Sequence, residues 1–348
     1  MRRWRVGIVG SGWAAGAHLG ALAAVDRGEV AAICTSREIA AADLGYGGER
    51  PIEVVHDLAA LLARPDIDVI DLCSRSDLHA AQAIAAAQAG KHLIVEKPIA
   101  LDLAGMRAVE AAVRAAGVRT CVCLQVRFSQ QFTATRSIVE RDLIGPLHYG
   151  EVDYLHNIGP EVSQYEWNLR SAGGGSSLLT AGCHALDGLL MFMGGEVTEV
   201  TSHTTTSPHP NFARYEYPTS SVTVMRFANG ALGKCASIVD SHQPYYLRVH
   251  LVGSDGAIFD GKLWLTRIAG LDRDRWTELG IKLESSADDV DEPYVPQFQE
   301  FFAALDEGRE MALTSLADAV RTFEVIFAAD RSAAENRTVP LAEIEAES

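Results

Sequence analysis

The feature that most limits what this chain can fold into is its first turn. Residues 4–10 read as a strand, Gly10-Ser11-Gly12-Trp13-Ala14-Ala15 follows, and a helical pattern runs on to about Ala24. The spacing is GxGxxA. The first glycine makes the tight turn, the second lets the backbone approach a pyrophosphate, and the small third position lets helix pack on strand. The helix N-terminus adds unpaired N–H groups and a partial positive charge suited to phosphate. Glycine-rich turns are common, so the motif gains its meaning from the strand before it and the βαβ run after it. Residues Gly10, Ser11, Gly12, Trp13, Ala14 and Ala15 are expected to hold a dinucleotide; the rival reading is a structural turn.

Strand and helix keep alternating beyond this loop. Strands are expected at Val30–Cys34, Val69–Cys73, His92–Val95 and Val118–Leu124, and helices at Asp57–Leu62, Leu78–Ala89 and Leu103–Ala116. That order gives an α/β Rossmann domain, a doubly wound parallel sheet, over residues 1–124. Gly90 and Gly117 suit helix C-termini. The pattern then changes. A helix at Phe132–Arg141 ends at Gly145-Pro146, and period-2 stretches follow at His148–Tyr154, Val197–Thr206, Ser220–Phe227, Ala231–Val239, Tyr246–Val252 and Ala257–Trp264. Asn229-Gly230 is a strong hairpin signal. A helix at Ser177–Met193 interrupts the strands, and a helical segment begins at Pro296, clearest over Leu316–Ala334. Residues 125–348 are therefore expected to form an α+β C-terminal domain with an open, mostly antiparallel sheet. Asp288-Asp289-Val290-Asp291-Glu292 reads as a solvated acidic loop.

Composition narrows the partners. Hydrophobic residues at 48% and charged residues at 22% suit a globular chain. The formal charge of −16 argues against nucleic acid or anionic membrane, which need basic patches. No run of 18 apolar residues and no signal peptide is evident, so the expected location is cytoplasmic. The cysteines Cys34, Cys73, Cys121, Cys123, Cys183 and Cys235 mostly sit in apolar stretches, which reads as reduced core thiols rather than disulfides or a zinc site. His203, His209 and His242 lack ligand-like spacing, so no metal is expected.

The end of the second strand reads the base and ribose. An NAD-preferring site usually carries an acidic residue there, whereas this chain has Cys34-Thr35-Ser36-Arg37. Thr35 and Ser36 are short hydrogen-bonding groups, and Arg37 suits a 2′-phosphate. The cofactor is therefore NADP or NAD, leaning to NADP; the alternative is that Arg37 is simply solvated.

The most specific stretch is Ala89-Gly90-Lys91-His92-Leu93-Ile94-Val95-Glu96-Lys97-Pro98. Glu-Lys-Pro at the C-terminal end of a buried parallel strand places a lysine where α/β folds bind ligands. Pro98 is a candidate for a cis bond.

With this stretch on the page, the sequence resembles the glucose–fructose oxidoreductase/inositol dehydrogenase/MocA (Gfo/Idh/MocA) family over essentially its whole length. The resemblance rests on the GxGxxA loop with His18 beyond it, Ser74-Arg75-Ser76-Asp77-Leu78-His79, AGKHLIVEKP, Gly173-Gly174-Gly175, and Gly182-Cys183-His184-Ala185-Leu186-Asp187. It implies oxidation or reduction of a secondary alcohol on a sugar, glycoside or cyclitol, and a homodimer or homotetramer paired through the C-terminal sheet. It also implies that Lys97 and His184 face the substrate. Loss of hydride from a carbinol carbon requires loss of the hydroxyl proton, so His184 is expected as base and Lys97 as the polarising, proton-sharing partner, with the roles open to exchange.

The motif adds Cys73, Ser74, Arg75, Leu78, His79, Glu96, Gln125, Trp167 and Arg170 as expected cofactor contacts. Arg127, Tyr154, His156 and Tyr165 join Lys97, Thr180 and His184 as expected substrate contacts, each against a rival reading of ordinary packing. Two departures stand out. Many relatives carry Asp four residues before the histidine, where this chain has Thr180, and Thr-Pro where it has Ser74-Arg75. Thr180 shares a helix face with His184 but brings no negative charge. Two other readings stay open: a redox-neutral glycosidase or isomerase that keeps its nicotinamide bound, and a dinucleotide-binding regulatory sensor.

Overall fold

The computed structural model describes residues 3–40, 51–284 and 293–347. The elements are β1 (Trp4–Val9), α1 (Trp13–Ala23), β2 (Gly28–Cys34), β3 (Glu53–Val55), α2 (Leu58–Leu62), β4 (Val69–Leu72), α3 (Ser76–Gln88), β5 (His92–Val95), α4 (Leu103–Ala116) and β6 (Thr120–Val122). There follow α5 (Gln130–Glu140), β7 (Leu147–Leu155), α6 (Tyr165–Asn168), α7 (Ser171–Gly174), α8 (Cys183–Met193), β8 (Val197–Thr205), β9 (Ser220–Phe227), β10 (Leu232–Ile238) and β11 (Tyr246–Gly253). The last are β12 (Gly256–Phe259), β13 (Lys262–Leu265), β14 (Thr277–Glu278), α9 (Tyr294–Glu307), α10 (Leu316–Glu335), β15 (Val339–Pro340) and α11 (Leu341–Glu345).

The chain divides into two compact units. The first holds residues 1–125 and 289–320, the second 126–288 and 321–348. In the first, six parallel strands lie in the order β3-β2-β1-β4-β5-β6. This is the Rossmann order, with its switch point between β1 and β4, where the chain crosses to the other half of the sheet. The strands are buried on both faces and so read as continuous apolar runs rather than alternating ones. Local signals set the helix ends: the Asp102 carboxyl accepts the Gly105 N–H at 2.7 Å to cap α4, and Gly117 closes that helix at φ +65°.

The division differs from a single boundary after residue 124, because residues 289–320 return to the first unit. Edge strand β6 explains the return. The Val122 N–H donates to Thr314 O at 2.7 Å, the Leu316 N–H to Thr120 Oγ1 at 2.8 Å, and Gln297 Nε2 to Val122 O at 2.8 Å. These bonds satisfy backbone groups that an open edge would leave bare. Phe298, Phe301 and Phe302 of α9 are fully buried.

In the second unit nine strands lie in the order β14-β13-β12-β11-β7-β10-β9-β8-β15. All pairs are antiparallel except β7 with β10. The Asn229-Gly230 signal lies at the β9–β10 hairpin, with Gly230 at φ +86°. One expectation needs correction. Ala257–Trp264 is two strands, β12 and β13, because Asp260 and Gly261 take φ of +45° and +75° and turn the chain in a two-residue hairpin. The short strand β3 gave too little periodicity to be seen.

Residues Ser171–Met193 have the length and hydropathy of a membrane span, but most of that stretch is buried inside the protein. Their apolarity is that of a core helix. All six cysteines are buried free thiols. The acidic segment 288–292 lies outside the described residues.

Candidate active site

The first unit builds the dinucleotide loop at the switch point. Gly10 takes φ +115°, and a Cβ there would lie 2.5 Å from Cys73 O, so conformation and space both demand glycine. At Gly12 a Cβ would meet nothing within 4 Å, and Gly12 caps α1 with no side-chain hydrogen bond. That leaves a bare helix N-terminus beside open space, which fits a pyrophosphate. Ala15 is buried against the sheet, Ala14 is half-buried, and Trp13 is exposed. At the end of β2, Ser11 Oγ and Thr35 Oγ1 are 2.7 Å apart and the Arg37 N–H donates to Thr35 Oγ1 at 3.1 Å. The Arg37 guanidinium is exposed and donates to Ser11 O at 3.3 Å; Ser36 is exposed beside it.

The Glu-Lys-Pro turn follows β5, and its Lys97-Pro98 bond is cis. Lys97 is half-buried. Glu96, expected to contact the cofactor, instead turns inward and is buried. Three donors converge on its carboxyl: His18 Nε2 at 3.1 Å, the Tyr294 hydroxyl at 2.7 Å, and the Lys97 N–H at 3.1 Å. On its other side His18 Nδ1 reaches Asp71 Oδ1 and Oδ2 at 3.0 and 2.9 Å. Burial disfavours the His18 cation, yet the charge of Asp71 raises its pKa well above the usual value. Burial likewise opposes the Glu96 anion, but hydrogen bonding and charge from His18, with Lys97 and Tyr294, hold that carboxyl at about 2.

Several other expected cofactor contacts are committed within this unit. The His79 ring is buried, with Nδ1 2.7 Å from Pro98 O and Nε2 3.0 Å from Ser74 O. The Ser74 hydroxyl donates to Gln82 Oε1 at 2.5 Å. Cys73 turns its thiol toward His18 and offers only backbone to the loop. Arg75 is exposed at the start of α3 and pairs with Asp77 at 3.0 Å. Leu78 is exposed and Gln125 is buried. Lys91 donates to the carbonyls of Arg64 and Ile67, a structural role for the lysine of the AGKH stretch.

The cysteines bear on the metal question. Cys73 and Cys123 flank His18, and His18 with Asp71 and Cys73, or with Glu96 and Cys123, brings metal-type ligand atoms within 4.8 Å of one another. Both ring nitrogens stand within hydrogen-bond distance of carboxyl oxygens, Nδ1 of Asp71 and Nε2 of Glu96.

In the second unit His184 is the second residue of α8 and is buried. The helix begins with a π turn, Leu178–Gly182, a distortion that concentrates at functional sites. A Cβ at Gly182 would lie 2.3 Å from Ser237 Oγ, so this glycine lets the helix start press on β10. The Thr180 hydroxyl donates to Gly174 O at 2.9 Å and stands 3.1 Å from the Tyr217 hydroxyl. Since the Thr180 proton is given to Gly174, the Tyr217 O–H donates to Thr180 Oγ1. Burial pushes the Tyr217 hydroxyl up to about 12. A Cβ at Gly174 would lie 2.2 Å from that hydroxyl, which accounts for part of the triple glycine.

Two of the expected substrate residues are structural instead. The Arg127 guanidinium is buried against Asp187, and Tyr165 is a core residue beside Leu169, Phe212, Tyr215 and Tyr217, its hydroxyl donating to Asn211 O. Among the expected cofactor contacts, Arg170 is exposed and paired with Glu216 at 2.6 Å, and Trp167 is half-buried with its carbonyl packed on Gly173. Tyr154 and His156 do come together, Tyr154 hydroxyl to His156 Nδ1 at 2.9 Å. Tyr245 completes this cluster, its ring 5.3 Å from Tyr154 and 5.2 Å from His156. Sequence spacing missed Tyr245 and Tyr217 because both come from loops distant along the chain. The rings of His209 and His242 lie 4.6 Å apart, with no third metal-type ligand among the described residues.

Comparison with known proteins bears on this arrangement. Residues 4–124 match the family described as "Oxidoreductase family, NAD-binding Rossmann fold", and residues 132–259 match "GFO/IDH/MocA C-terminal domain". The Bacillus subtilis (strain 168) protein "Uncharacterized oxidoreductase YrbE" is 31% identical over 72% of this chain and 72% of its own length. This chain belongs to the Gfo/Idh/MocA family. Another Gfo/Idh/MocA relative, the myo-inositol 2-dehydrogenase of Thermotoga maritima, is 26% identical over 98% of this chain and 99% of its own. The levoglucosan dehydrogenase of Pseudarthrobacter phenanthrenivorans is 27% identical over 74% and 73%. A solved levoglucosan dehydrogenase with NADH and levoglucosan shares the Gfo/Idh/MocA fold, at TM-score 0.84 and 24% identity over 98% of this chain and 100% of that one. The chain is thus an oxidoreductase with a Rossmann domain for a nicotinamide dinucleotide, and the bare α1 N-terminus beside Gly12 fits that group.

Proposed function

We propose that the protein is an NAD(P)-dependent dehydrogenase or reductase acting on a ring secondary alcohol or ketone of a sugar, glycoside or cyclitol. One observation carries the reading: Lys97 stands just past the C-terminal end of β5, in a chain that matches a myo-inositol 2-dehydrogenase over 98% of its length. The nicotinamide, when bound, takes or gives the hydride. The chain's own residues hold the dinucleotide and manage the hydroxyl proton.

In this proposal Gly10–Ala15 and the N-terminus of α1 bind the pyrophosphate, while Thr35, Ser36 and Arg37 meet the ribose. The exposed Arg37 guanidinium supports a lean toward NADP. His184 takes the hydroxyl proton and Lys97 donates to the oxygen as charge develops on it. Thr180 keeps a polar group on the helix of His184, fixed by Gly174 and Tyr217. Tyr154, His156 and Tyr245 supply ring faces and polar tips of the kind that bind sugars. A homodimer or homotetramer pairs through the sheet face that carries Val222, Val224 and Leu232, each more than 40% exposed, in a cytoplasmic protein.

The test is a panel of myo-inositol, scyllo-inositol, levoglucosan, D-glucose and D-xylose with both dinucleotides, following the reduced nicotinamide. Net turnover with at least one substrate is expected. A copurifying nicotinamide with no net turnover would favour redox-neutral chemistry instead.

A further inference from the structure

Among the described residues, three donors meet at the Glu96 carboxyl. His18 Nε2 and the Tyr294 hydroxyl give to one oxygen, and the Lys97 N–H gives to the other at 3.1 Å. An ionised carboxylate accepts at both oxygens and donates at neither. Glutamine has the same shape, but whichever way its amide turns, an NH2 group faces a donor. His18 is itself fixed from behind by two contacts to Asp71, and the rings of Tyr294 and Phe298 lie 4.5 and 5.0 Å from it. His18, Asp71, Glu96, Tyr294 and Phe298 are all buried.

The peptide after Lys97 is held from another element. His79 Nδ1 lies 2.7 Å from Pro98 O, and burial lowers the His79 pKa. The N–H of Lys97 and the carbonyl of Pro98 are thus both tied to buried side chains, one through Glu96 on β5's end and one through His79 on α3.

We propose that Glu96, oriented by His18 and Tyr294, is a positioning residue with His79, and that together they fix the Lys97 backbone so that the ammonium is presented in one place. None of these groups touches substrate in this account. Their work is geometric, and misplacing a catalytic group by about 1 Å costs roughly a hundredfold in rate. The inference rests on the reading of Lys97 as a group that meets the substrate.

The experiment measures kcat, KM, dinucleotide Kd and Tm for the parent, Glu96→Gln, Asp71→Asn, Tyr294→Phe and Lys97→Ala, using the fastest substrate of the panel above. Glu96→Gln is expected to lower kcat about thirtyfold or more, with the Kd for NADH within about threefold of the parent. Asp71→Asn weakens the same array without facing Lys97, so at a similar loss of Tm it should lower kcat far less. Tyr294→Phe leaves one donor on that oxygen and should give a smaller kcat loss of the same kind, which decides the matter where Glu96→Gln does not fold. Glu96→Gln at the parent kcat, or kcat losses in Glu96→Gln and Asp71→Asn that simply follow Tm, would overturn the positioning role. Lys97→Ala separates the two claims: parent rates there would overturn the reading of Lys97 itself.

Discussion

The Arg127 guanidinium grips Asp187 through two hydrogen bonds, Nη2 to Oδ1 at 2.5 Å and Nε to Oδ2 at 2.6 Å, with both side chains buried. The Thr322 hydroxyl adds a third bond to the same carboxyl at 2.7 Å. Asp187 lies three residues beyond His184, so this pair anchors the helix that carries the proposed base. Removing one partner leaves the other charged, buried and uncompensated, which costs about 3–5 kcal/mol. Arg127→Met is therefore expected to lower Tm by many degrees, with substrate KM changing only as far as folding does. A large rise in KM at the parent Tm would return Arg127 to the substrate site.

Gly10 makes a second prediction. A methyl group there collides with the Cys73 carbonyl in a backbone conformation that alanine avoids. Gly10→Ala should abolish NADH binding, measured by fluorescence titration, while Gly12→Ala should weaken it only where the pyrophosphate approaches. Equal and small effects would contradict the placement of the loop.

Arg37 tests the proposed lean to NADP. Its guanidinium is exposed and rests on the Ser11 carbonyl, close to where a 2′-phosphate would extend in the proposed binding mode. Arg37→Ala should lower kcat/KM for NADP+ about tenfold or more and leave NAD+ within about threefold. A parent enzyme that strongly prefers NAD+ would remove the lean to NADP.

The His18 array gives a pH dependence with a fixed sign. The raised His18 pKa contributes stability that is present below about 6.5 and lost as pH rises through the raised value. The Glu96 carboxyl, held at about 2, contributes stability present above about 4.3 and lost as pH falls toward 2. Tm measured against pH should therefore fall at both ends, and His18→Asn should flatten the alkaline fall. An unchanged alkaline slope in that variant would show that His18 is not charged in the folded protein.

Much of this was legible in sequence, and for identifiable reasons. The Rossmann half was readable because its strands are short apolar runs punctuated by helices of the right period, and because Gly10 and the Glu-Lys-Pro turn are local signals. Side-chain direction was not. Glu96 and His79 sit in motif positions that suggest ligand contact, yet both turn inward, since their partners His18, Tyr294 and Pro98 come from other elements. Arg127 and Tyr165 follow the same rule: their packing partners Asp187 and Phe212 are far along the chain. The return of residues 289–320 to the first unit followed the same rule. Helix α9 shows in its sequence that Phe298 and Phe302 are buried, but not that Gln297 between them bonds to Val122 O of β6.

The central claim is a net hydride transfer that depends on Lys97. The direct measurement is reduction of NAD+ or NADP+ during turnover of a ring polyol from the panel, by the parent and by Lys97→Ala, with NADH binding measured in both. The account predicts reduced nicotinamide formed in step with polyol consumed by the parent, and loss of most of that activity in Lys97→Ala with NADH binding retained. No net reduced nicotinamide with any polyol, or parent rates in Lys97→Ala, would contradict it.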